Sequence, residues 1–360
     1  MATVVCMIMS TDIANTSIRA LKSAVVATVG MALLYPLFLK SAYATALLLG
    51  AASTRANSAG LIFAYCVAIG ASFSVPVTAA LVARRLGRLP VPTTSSRRWL
   101  QLSHLAFAAP PLYTSIGVLT YIAGAGDLDY PVWFLVWGTI LIVVLCSPVD
   151  VTRIEVPPVR GTLRRFHGVA ALAVLLTFVL AHLANHVLAL WTPELHGQVM
   201  KLLELLYRQE VVEPLLVVVM SLLIASGLSM AWRYTAAPQE GFRTLQTLTG
   251  VYVAVFVASH LTAVFVMARW IEHIPTDWAF ASGAPAGLIK DPWNVRLIPH
   301  YSIAVWAVLT HVGLGVRGVL TAHGGTPRAG KWVAISVAGL GALLSVLITA
   351  ALLGLHLGAT

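Results

Sequence analysis

Apolar residues in this chain come in long unbroken runs, and polar residues gather in short stretches between them. The runs lie near 23–50, 60–83, 99–124, 132–148, 167–190, 213–232, 244–268, 299–321 and 332–356. Each is close to or above the ~20 residues that a helix needs to cross a hydrocarbon core of about 30 Å. In lipid every backbone N–H and C=O must bond within its own segment, so runs of this kind are helices. The pattern predicts an all-α polytopic membrane protein with about nine transmembrane helices. Lys40 falls inside the first run, so that helix either tilts to carry Lys40 to an interface or ends near Leu39. Arg19 and Lys22 ahead of it imitate a signal peptide, but the run is too long and lacks a small-residue cleavage site, so it reads as a spanning helix.

Composition agrees with the pattern. Hydrophobic residues make up 59% of the 360 positions and charged residues 10%, whereas soluble domains carry about a quarter charged residues. The formal net charge of +10 raises nucleic acid as a partner, but the basic residues sit in short loops between spans, where they report orientation instead. Cys6, Cys66 and Cys146 lie far apart with no CxxC or CxxCH, which argues against a disulfide framework, a zinc site and covalent haem attachment.

Alternating the loops between two sides collects most of the 23 Lys and Arg on one of them, including Arg84, Arg85, Arg88, Arg97, Arg98, Arg164, Arg165, Arg233, Arg243 and Arg317. The positive-inside rule makes that side cytoplasmic and puts the C-terminus outside, the expectation being a bacterial inner membrane. By the same assignment no carboxylate lies deep in the membrane. The stretch from Pro148 to Arg165, rich in Pro and Arg, divides a four-helix region (1–150) from a five-helix domain (151–360).

The candidate chemistry lies in the five-helix domain. A histidine inside a membrane helix is costly enough to suggest function, and imidazole suits iron. His182 follows Arg165 by 17 residues, and His260 follows Arg243 by 17. At 1.5 Å per residue both sit about 25 Å from the arginine level, at matching depth on separate helices. That is the arrangement of two axial ligands of a b-type haem in a bundle. The alternative is that each histidine only hydrogen-bonds across helices. His311 precedes Arg317 by six residues and so sits about 9 Å from the basic edge. Its partner would stand on the sixth helix near Ala225, Ser226 and Gly227, where there is no histidine. His104, six residues after Arg98, is the substitute at that depth. His186 reads as part of an outer polar belt, and His167, beside Arg164 and Arg165, as a residue at the inner headgroup level. Pro110 and Pro111 are expected to kink the third helix.

These residues resemble a known family. Leu163-Arg164-Arg165-Phe166-His167-Gly168 with Ala181-His182-Leu183-Ala184-Asn185, Leu245-Gln246-Thr247-Leu248-Thr249-Gly250 with Ser259-His260, and Thr310-His311 look like helices one, three and four of the five-helix cytochrome b subunit of succinate dehydrogenase and fumarate reductase. The likeness covers residues of about 160 to 357, and it extends to a haem-binding helical bundle of fungal mitochondria that works without dehydrogenase subunits. It implies two haems with His182, His260 and His311 among the ligands, quinone chemistry, and docking of a flavoprotein and an iron–sulfur subunit on the cytoplasmic side. The missing sixth-helix histidine and the four extra helices depart from that pattern, so the residues favour one outer haem and make an inner one depend on His104. Arg165 and Arg243 are then inner-surface contacts to lipid phosphates or a partner subunit. Two rivals from other classes are a transporter or lipid-handling protein with a histidine-lined cavity, and a structural anchor.

Overall fold

The computed structural model describes the backbone of residues 2–51 and 55–358 and the side chains of 18–51 and 58–358. Its regular structure is helical, and among the described residues there is one isolated β-bridge, between Thr93 and Arg153. The helices are α1 (Ala2–Gly50), α2 (Arg55–Gly87), α3 (Thr94–Phe107), α4 (Ala109–Ile122), α5 (Asp129–Cys146), α6 (Gly161–Val174), α7 (Leu180–Leu188), α8 (Pro193–Tyr207), α9 (Val212–Tyr234), α10 (Gly241–Leu261), α11 (Trp278–Ser282), α12 (Leu297–Ala322) and α13 (Pro327–Leu352). Among the described residues, 8 helical segments are long and apolar enough to cross a membrane, or 9 if the bent pair α3–α4 is one span. The chain is an all-α, multi-pass membrane protein.

Three local features of the helices have physical causes, and the first two fall within the sequence expectation. Lys40 does not interrupt α1, because its exposed side chain leaves the helix surface without disturbing the backbone. The third span breaks outright at Ala108 into α3 and α4, bent by 68°. Pro110 and Pro111 carry no N–H and would crowd the preceding turn, so they fit only at the start of a new helix. The third feature, not expected from the sequence, is a pair of π-helical stretches, Leu175–Val179 joining α6 to α7 and Thr262–Ile271 extending α10. One ends three residues before His182 and the other begins two residues after His260. Wide turns of this kind recur at functional sites.

The segment after α5 is irregular, and hydrogen bonds tie it down: Thr94 N–H donates to Thr152 O at 2.9 Å and Ser95 N–H to Asp150 O at 3.1 Å. The regions on either side share one core. Tyr35, Tyr113, Trp133 and Trp137 from the first part pack in the same cluster as Leu248, Tyr252 and Ala304 from the second. Phe107 meets Tyr252 edge to face at 5.7 Å. Arg296, 2% exposed, reaches from the second part to Asp129, 4% exposed, at 2.7 Å. The Asp129 carboxylate also accepts from the Tyr113 hydroxyl. The sequence left no carboxylate deep in the membrane; this one is sheltered at the start of α5 and its charge is met by Arg296.

Candidate functional site: two histidine pairs

Both ends of the second part bring two imidazoles together. At the end opposite the arginine-rich face, His182 on α7 faces His260 on α10 with ring centroids 6.3 Å apart. Each ring is backed by the phenylalanine one turn earlier: Phe178 stacks on His182 at 5.0 Å and Phe256 on His260 at 5.6 Å. The shared pattern is Phe-x-x-x-His, and i,i+4 spacing lays the two rings on one helix face. Among the described residues no hydrogen bond engages either histidine.

At the basic end His311 on α12 faces His167 on α6, with centroids 6.4 Å apart. Here hydrogen bonds engage both rings. His311 Nδ1 lies 3.0 Å from Gln246 O, a carbonyl that can only accept, so Nδ1 carries the proton. Ser226 Oγ lies 2.9 Å from His167 Nδ1 and 3.2 Å from Leu223 O, so it can accept from Nδ1 while donating to the carbonyl. In His311 Nε2 is left with its lone pair, the state required of a metal ligand, and the contact of His167 with Ser226 is compatible with the same tautomer.

Two glycines make room for these rings. A Cβ on Gly250 would come within 2.8 Å of His311 Cε1, and one on Gly227 within 3.2 Å of His167 Cε1. Arg243 adds a further layer, donating to Gln246 Oε1 at 2.7 Å and lying over the Tyr234 ring. Arg165 is exposed at the start of α6.

The structure therefore joins His182 to His260 and gives His311 a partner that the sequence argument passed over. Among the described residues no ring contact links His104 to His311. His104 is buried on α3 beside the break, and its Nε2 has no partner. The positions searched for a sixth-helix histidine hold instead the hydroxyl that orients His167, from Ser226, and the notch that admits its ring, at Gly227.

Further groups gather around the far pair. His186 stands edge-on to His182 at 4.7 Å, and His196 on α8 lies 5.2 Å from His186. Burial pushes the His196 imidazole below the usual histidine range, with nearby Asp277 pulling the other way. His300 on α12 packs against Phe256 at 4.7 Å.

A haem can be tested against these dimensions. Two imidazoles on opposite faces of one iron, with metal–nitrogen bonds of about 2 Å and about 1.2 Å from nitrogen to ring centre, place their centroids about 6.4 Å apart. Both pairs meet that spacing. Fold and site together define a multi-pass helical bundle carrying two facing-histidine pairs at different depths. Compared with family models, curated proteins and solved structures, the chain finds no match.

Proposed function

We propose that this chain is a membrane b-type cytochrome with two haem sites, His182–His260 at the far end and His167–His311 at the basic end. In this reading it is the anchor and electron-transfer subunit of a complex of the succinate dehydrogenase or fumarate reductase kind. The observation that carries the proposal is the spacing, 6.3 Å and 6.4 Å between ring centroids in two independent pairs. His167 and His182 stand on one continuous span, 15 residues and so about 22 Å apart along it. The two sites thus lie at different depths of one bundle.

Haem b, when bound, supplies one-electron redox chemistry. The chain supplies the rest. Nε2 of His311, and of His167 in the same tautomer, is presented as a lone pair by the hydrogen bonds at Nδ1, and Phe178 and Phe256 hold the other two rings by stacking. Apolar helices around both pairs keep water away. The arginine-rich face, read as cytoplasmic with the C-terminus outside in a bacterial inner membrane, is suited to acidic surfaces of flavoprotein and iron–sulfur subunits and to anionic lipid. A quinone, itself lipid-soluble, is the fitting small partner. A reduced-minus-oxidised spectrum of the purified protein tests the reading. A b-type band is expected, weakened in His182→Ala and in His311→Ala and absent when all four histidines are replaced; a spectrum without such a band contradicts it.

A further inference from the structure

His186 and His196 take no part in either facing pair, yet both are placed with care. α8 starts at Pro193 behind a Thr192 cap, whose hydroxyl accepts from Leu195 N–H at 3.1 Å. The turn before it is pinned from the C-terminal side, where Leu357 N–H and Gly358 N–H donate to Leu190 O and Trp191 O at 2.8 and 2.9 Å. That scaffold buries His196 to 2% exposure. The Trp278 ring, 4.9 Å from His196 and 6.2 Å from His186, closes the space beside them.

Nδ1 of His186 and Nδ1 of His196 are both buried without a hydrogen-bond partner. An unsatisfied buried polar atom normally costs stability, so two of them side by side call for an occupant that engages both. The ring spacing is compatible with one metal ion. Bonds of about 2 Å from imidazole nitrogen to one ion at a tetrahedral angle put ring centroids about 5.2 Å apart, against about 6.4 Å for opposite positions. The observed separation is 5.2 Å.

We propose that His186 and His196 form a two-histidine site for a divalent metal ion of the zinc class, at the end of the bundle opposite the arginine-rich face. Among the described residues no group of three or more His, Cys, Asp or Glu is arranged around a metal position. Water therefore completes the coordination and the site is open, as in zinc centres that exchange a ligand. Asp277 beside His196 offsets part of the ion's charge. The site adjoins the far facing pair, since His186 stands edge-on to His182 at 4.7 Å, but it uses neither histidine of that pair.

The test uses the full chain in lipid nanodiscs, titrated calorimetrically with zinc chloride, with haem content measured separately so that each reading stands or falls alone. Saturable binding of one zinc per chain is expected. His196→Gln and His186→Gln should each weaken it at least tenfold, and His323→Gln, exposed at the opposite end, should leave it unchanged. Absence of saturable binding, or wild-type affinity in His196→Gln, overturns the proposal. Should either variant fail to fold, zinc-edge X-ray absorption on the wild-type protein decides: two imidazole nitrogens on the zinc support the site, and a shell without them refutes it.

Discussion

The two facing pairs have nearly the same ring spacing but are supported in different ways. At the basic end each Nδ1 is hydrogen-bonded, to Gln246 O and to Ser226 Oγ, and each ring lies against a glycine. At the far end aromatic stacking replaces the hydrogen bonds, and a π-helical stretch adjoins each ligand helix turn. One pair is thus oriented by polar contacts, which for His311 also decide which nitrogen is free. The other is oriented by packing, which fixes the plane of the ring but leaves its tautomer open. Spacing alone makes a ligand pair possible; the surrounding groups determine how tightly each ring is committed to that role.

The sharpest way to separate the pairs is to remove one ligand at a time. His167→Ala and His311→Ala should each remove one haem equivalent and keep the other, and His182→Ala and His260→Ala should remove the complementary one, as measured by haem quantification and split spectra. Next in size is Gly250→Val. Its side chain would occupy the place of the His311 ring, at an overpacking cost of about 1–3 kcal/mol, and should deplete the basic-end site alone.

Ser226→Ala comes third. It takes the acceptor from His167 Nδ1, and loss of such a supporting contact typically costs 10–100-fold in metal affinity. Because a hydrogen-bonded imidazole is the stronger donor, the same change should move the basic-end midpoint potential upward in a redox titration and leave the far-end potential in place. The smallest effect is expected from Phe178→Leu and Phe256→Leu. Stacking of this kind is worth about 0.5–1.5 kcal/mol, so each should broaden the far-end spectral signal without removing it.

Much of this arrangement was legible in the pattern of residues, because the physics of a bilayer is strict. Long apolar runs had to be helices, and the repeated 17-residue interval from arginine to histidine placed His182 level with His260. The basic-end pair was not legible in the same way. Its depth was judged from arginines, whose long side chains reach several ångströms along the helix and blur the edge they mark. His167, two residues after Arg165, was therefore assigned to the headgroup level, while its ring meets that of His311.

Positions 225–227 carry no histidine, but Ser226 and Gly227 there accommodate the ring of His167 from the neighbouring α6. The break at Ala108 was foreshadowed by Pro110 and Pro111, though not its size. The π-helical stretches and the capped helix α8 depend on packing that a hydrophobic pattern does not encode. The Phe-x-x-x-His repeat at 178–182 and 256–260 is a signal in the sequence that points to the far-end pair independently of depth.

The account rests on His167 being the partner of His311. Haem-to-protein stoichiometry of the purified full-length chain, measured for the wild type, His167→Ala and His104→Ala, tests this most directly. Two haems in the wild type, one in His167→Ala and two in His104→Ala are expected; a wild type with a single haem, or loss of a haem in His104→Ala with none lost in His167→Ala, would contradict it.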